Sequence, residues 1–160
     1  MKKRFLILSF LILFLVVGCG KPKTELDKFK HYLKKNEDYK CSKNICIETV
    51  SIGNLITYTD EINFDTKTIT HSSDGNNALV TSKTIYNWAT DTATYYSYTL
   101  GVEIDATYNY TTDEFNCDSS YEDKEYVETE CDIAKLSFKD LKTGFEELIK
   151  NSETLYFDEM

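Results

Sequence analysis

The chain has 160 residues, 18 basic against 27 acidic side chains, a net charge of −9, one Pro and six Gly. That length, less an N-terminal leader, accommodates one domain with a real core. An acidic body argues against nucleic acid as a partner, because its field repels phosphate.

The N-terminus departs from this polar average. Lys2, Lys3 and Arg4 precede an apolar run from Phe5 to Val17 that only Ser9 interrupts. A basic start followed by a short apolar run reads as a secretory signal peptide. The run is too short for a comfortable membrane span, which needs about 20 apolar residues. It ends in Val16-Val17-Gly18-Cys19, which resembles the lipobox of bacterial lipoproteins. The resemblance implies cleavage before Cys19, attachment of a lipid group with two acyl chains through its sulfur, and a chain held by lipid on the extracytoplasmic face of a cell membrane. Two acyl chains, at about 0.8 kcal/mol per buried methylene, hold a protein where one is marginal. The organisation expected is then a signal peptide (1–18), a lipidated tether (19–23) and a single extracytoplasmic domain (24–160).

Removing the leader leaves 15 basic against 27 acidic residues. Residues 19–43 hold eight Lys and four acids, whereas residues 44–160 hold seven Lys and 23 acids. The basic end therefore lies beside the anchor, where it reads as a solvated tether or a contact with anionic lipid.

Cys41, Cys46, Cys117 and Cys131 remain. An even count in an exported chain predicts two disulfides. Of the three connectivities, Cys41–Cys46 with Cys117–Cys131 needs only local contacts, and it is the pairing expected. A four-thiol zinc site fits poorly, because Cys117 and Cys131 lack the short spacing of a ligand pair. No metal or cofactor is expected.

Thr24 to Lys35 reads as a helix. Thr24 and Asp27 form a capping-box pattern, and Leu26, Phe29 and Leu33 share one stripe. Further on the period becomes two. Ile56, Tyr58, Ile62 and Phe64 alternate with polar residues, and turns are expected at Phe64-Asp65-Thr66-Lys67-Thr68-Ile69, Asp74-Gly75-Asn76-Asn77 and Thr90-Asp91-Thr92. Tyr96 to Tyr110 alternates over eight matches and reads as one long strand, bent or bulged at Gly101. A last helix is expected from Ser137, with Phe138, Leu141, Phe145, Leu148 and Ile149 on its buried stripe and Gly144 as either a weak point or a place of close approach to a neighbour. No internal repeat stands out. The fold class predicted is α+β: an antiparallel β-meander of about five to seven strands flanked by an N-terminal and a C-terminal helix.

Candidate chemistry is sparse. His31 lies in a Lys-rich helix, and His71 reads as a strand-end residue running into a turn. Neither carries a recognised nucleophile motif. The span Asp113–Asp132 holds nine acids against Lys124 alone. It reads as a solvated acidic loop rather than a calcium site, since it lacks the alternating Asp-x-Asp-x-Asp-Gly pattern. Among 12 Tyr, nine Phe and one Trp, Trp88, Tyr86 and Tyr95 are candidates for a wet sheet face, where aromatic rings suit sugars or peptides. The functional expectation is a non-catalytic binding module of the cell envelope, with a cell-wall polymer or an envelope protein as partner. The alternative is a carboxylate-dependent hydrolase or an enzyme inhibitor.

Overall fold

Eight strands pair in strict chain order, each antiparallel to the next, and two helices lie on one face of the sheet. The computed structural model describes residues 24–75 and 80–158. The leader, Cys19, the tether and the Asn76-Asn77 half of one expected turn lie outside the described residues. The order is α1 (Glu25–Lys35), β1 (Lys40–Ser42), β2 (Ile45–Ile52), β3 (Ile56–Asn63), β4 (Thr68–Gly75), β5 (Val80–Asn87), β6 (Thr92–Thr99), β7 (Val102–Asn109), β8 (Glu114–Ser119) and α2 (Lys124–Asp158). The architecture is the α+β class expected, with eight strands rather than five to seven.

The first helix forms as its sequence predicts. Thr24 Oγ1 accepts the Asp27 N–H at 3.1 Å, and the Asp27 carboxylate accepts the Thr24 N–H at 3.3 Å. Phe29 and Leu33 are fully buried, and removing each from water contributes about 1.5–3 kcal/mol. The last helix differs. It begins at Lys124 rather than at Ser137. Asp123 caps it, its Oδ1 accepting the N–H groups of Glu125 and Tyr126 at 3.1 and 3.2 Å. Ser137 is mid-helix, where its hydroxyl donates to the Ile133 carbonyl at 3.0 Å. The buried stripe accordingly starts earlier and takes in Ala134, Phe138 and Phe145.

The alternating run over 96–110 is two strands. Leu100 and Gly101 occupy a two-residue turn with φ of 51° and 93°, the positive-φ pair that closes a tight hairpin. Thr99 pairs with Val102 and Tyr98 with Glu103, so the side-chain phase changes across the turn. Ser97, Ile104 and Ala106 face the helices and are buried, whereas Tyr96 faces away with Asp105.

Three hairpin turns share one design. Asn63, Asn87 and Asn109 each end a strand. Their Oδ1 atoms accept the N–H groups two and three residues on, at 2.9–3.2 Å. Lys67, Asp91 and Asp113 then take the left-handed conformation. The sequences are NFDTKT, NWATDT and NYTTDE, a repeat that the sequence reading missed. The aromatic after each Asn (Phe64, Trp88 or Tyr110) packs against the core formed by Phe29, Tyr86 and Phe145.

Candidate functional site

Strand register sorts the helix-covered face into rows. The first is apolar: Cys46, Ile62, Ile69, Tyr86, Ala93, Tyr108 and Phe115 stand side by side across β2–β8. The next row contains Glu48, Asp60, His71, Thr84 and Tyr95, and the one after it Tyr58, Ser73, Ser82 and Ser97. The covered face thus becomes polar within one step along the strands. Over these polar rows α2 does not close on the sheet. A groove of about 460 Å³ remains, with Tyr58, Asp60, His71, Ser73, Ser82, Thr84 and Tyr95 on the sheet side. Asp140, Leu141, Gly144 and Leu148 line it from α2. A Cβ built on Gly144 meets nothing within 4 Å. Gly144 is therefore no close-approach point; its missing side chain is part of the open space.

His71 is the centre of the polar floor. It sits within β4 rather than at a strand end. Its Nδ1 lies 2.6 Å from Asp60 Oδ1, directly across the strand pair. Its ring stacks on Tyr58 with centroids 6.0 Å apart. Ser73 and Ser82 share a hydrogen bond of 2.8 Å one row further on. Tyr39, which also lines the groove, has its hydroxyl pushed up by burial and then by neighbouring Glu48. The site combines hydroxyls, one carboxylate–imidazole pair and aromatic walls. Such a lining forms several hydrogen bonds and presents apolar faces to one ligand. Among the described residues the Ser73 and Ser82 hydroxyls bond to each other, and the His71 ring to Asp60.

The hydrogen bond to Asp60 raises the His71 pKa above its ordinary 6.5, against the opposing effect of burial. The folded state therefore favours the charged ring. The stabilisation is full below pH 6.5 and is lost as pH rises through the folded-state pKa. Both side chains are more than a third exposed, so the effect on stability is small and screened by salt. An NMR titration should give a His71 midpoint above 6.5 that falls in Asp60→Asn. An identical midpoint in both proteins would mean that the pair does not form in solution.

The aromatic candidates are not on the wet face. Tyr86 and Tyr95 are buried at 5 and 7 % exposure, because register sets them in the helix-covered rows. Trp88 lies in a turn and stacks on Phe145 at 4.8 Å. Of the three, Tyr95 alone lines the groove. The Tyr86 hydroxyl donates to Asp91 at 2.9 Å, and Lys142 of α2 donates to the same carboxylate at 2.7 Å. These bonds, the one from Lys142 foremost, hold the Asp91 pKa down. Together with Lys142 placed 4.2 Å over the Tyr110 ring, they pin α2 to the turns. The tyrosines on the open face are Tyr96 and Tyr98, beside Asp105 and Glu103.

The cysteines pair as expected, Cys41 with Cys46 and Cys117 with Cys131. The acidic span is not a loop. It forms the end of the β7–β8 turn, β8, a short link over 120–123 and the first turns of α2. Among the described residues no group of three or more His, Cys, Asp or Glu is placed to hold a metal ion. Among them, too, no helix is long and apolar enough to cross a membrane. Compared with family models, curated proteins and solved structures, the chain finds no match in any of the three.

Proposed function

We propose that this protein is a lipid-anchored module of the bacterial cell envelope that binds a ligand in the groove between the sheet and α2 without transforming it. The groove carries the reading: a cavity of about 460 Å³ floored by paired polar side chains and left open opposite Gly144. The basic, apolar leader ending at Cys19 supports the location. So do the two disulfides, which persist in oxidising compartments. Hydroxyl-rich walls interleaved with tyrosines suit a segment of cell-wall polymer or a peptide. A second reading, an extracytoplasmic hydrolase, has the Asp60–His71 pair in its favour; among the described residues Ser73 and Ser82 bond to each other rather than to that pair.

One substitution separates the groove from the rest of the surface. Gly144→Leu places a side chain in the open space and replaces the poorest helix former after proline, a gain of about 0.8 kcal/mol. The variant should be at least as stable as the parent and should lose binding of cell-wall fragments. The readout is the fluorescence of Trp88, whose ring stacks on groove-lining Phe145. Unchanged binding in a stable Gly144→Leu protein would sink the groove as the site. Turnover that disappears in His71→Ala would replace the binding reading with the hydrolase. The anchor is tested separately: Cys19→Ala should move the full-length protein out of the detergent phase.

A further inference from the structure

At the β1 end of the sheet the chain covers the edge only in part. β1 pairs with Ile45, Cys46 and Ile47 alone, whereas β2 continues to Ile52 and is paired along its whole length with β3 on the other side. The chain leaves the edge at Tyr39, whose N–H closes a turn onto the Asn36 carbonyl, and rises into α1. Among the described residues no strand pairs with the outer side of Glu48–Ile52. Half of the backbone N–H and C=O groups over this stretch therefore point outward with no strand to meet them.

Exposed edges are normally blunted by Lys, Pro or a bulge. The stretch Glu48-Thr49-Val50-Ser51-Ile52 contains neither residue and stays in regular register with β3 throughout. Its side chains favour strand pairing. Val50 and Ile52 are 51 and 58 % exposed on the helix-side face, and Thr49 and Ser51 are exposed on the other. Ile56 pairs with Ile52, which widens the apolar strip sideways onto β3. Charge narrows the choice of occupant. Between Ile45 and Gly75 the chain carries Glu48, Asp60, Glu61, Asp65 and Asp74 against Lys67. A second copy of this acidic chain would bring like charges together.

We propose that Glu48–Ile52 of β2 receives an extended basic peptide of a partner protein as an added strand. Main-chain hydrogen bonds to the open edge supply the attachment. Apolar residues at alternate positions of the peptide rest on Val50 and Ile52, polar ones lie beside Thr49 and Ser51, and a flanking Lys or Arg meets Glu48. Five paired residues span about 17 Å. The site is separate from the groove and stands whether or not the groove holds a ligand.

The test uses a seven-residue peptide of alternating valine and threonine with a lysine at each end, titrated into the purified full-length protein in detergent. Hydrogen exchange should slow at outward amides within 48–52, and binding should weaken at least tenfold in Val50→Lys. Val50 is half exposed, so that variant folds. Methylating alternate backbone nitrogens of the peptide removes its donors, leaves the protein untouched, and should abolish binding. Three results would each overturn the proposal: no protection within 48–52 at millimolar peptide, equal binding of the methylated peptide, or protection that arises without peptide from self-association of the protein.

Discussion

Phe145→Ala should destabilise the fold by about 3–5 kcal/mol, the cost of truncating a fully packed aromatic. Phe145 is 3 % exposed and joins three separate parts of the chain. Its ring centroid lies 5.9 Å from Phe29 of α1, 5.9 Å from Tyr86 of β5 and 4.8 Å from Trp88 in a hairpin turn. The cavity left behind would be walled by rings held by different elements, so no single shift fills it. Urea unfolding should show a lower midpoint with an unchanged slope, and Trp88 emission should move to the red as its stacking partner is lost. A loss below about 1 kcal/mol, the average for substitutions generally, would mean that α2 is not seated over β5 as described.

Replacing Cys117 and Cys131 together by Ser should cost about 3 kcal/mol, the chain-entropy value for a closed loop of roughly 15 residues. The bridge joins β8 to the first turns of α2. Both partners are acidic there: Glu114 and Asp118 on the strand, Glu125, Glu128, Glu130 and Asp132 on the helix. Like charges held together repel, and salt screens that repulsion. The double variant should therefore recover part of its lost stability when ionic strength is raised, and the parent should respond less. Replacing Cys41 and Cys46 should cost less, because the loop they close is shorter. Thermal melts of the two double variants at low and high salt check both the ranking and the salt response. The reverse ranking would show that the helix start is held by packing alone.

Local signals in the sequence translated well into structure. The Thr24–Asp27 capping box, the Leu26–Phe29–Leu33 stripe, the turns at Lys67 and Asp91, and the short-range disulfides all depend on residues close in the chain. Failures arose where one local signal has two geometries. Alternation from Tyr96 to Tyr110 looks continuous because a two-residue turn preserves the appearance of alternation while exchanging the faces. Leu100 in the left-handed region gives no warning, since that conformation is ordinarily left to Gly, Asn or Asp. Ser137 imitates a helix start because a hydroxyl that bonds back to a carbonyl looks, in sequence, like a cap. The groove was the least legible feature. Asp60 and His71 are eleven residues apart and meet only through the register of β3 on β4, and Gly144 comes from the opposite end of the chain. The threefold Asn–aromatic–x–Thr turn was legible in principle. Aligning NFDTKT, NWATDT and NYTTDE exposes it without coordinates.

The strand order has a consequence for how the chain reaches its native state. Every strand neighbour in the sheet is also a neighbour in sequence, so hairpins can zip one after another with little loop-closure cost. The helices follow another timetable. α1 is made first, yet Phe29 meets Phe145 from the last helix. A chain emerging from its N-terminus can set Phe29 against Phe64 early, but the side of the Leu26, Phe29 and Leu33 stripe that meets the last helix stays uncovered until residues 124–158 have followed. During that interval the growing sheet also shows its apolar row to solvent. Premature association with other chains is the hazard of such a delay, and arrival of the final 35-residue helix ends it by covering both surfaces in one docking event.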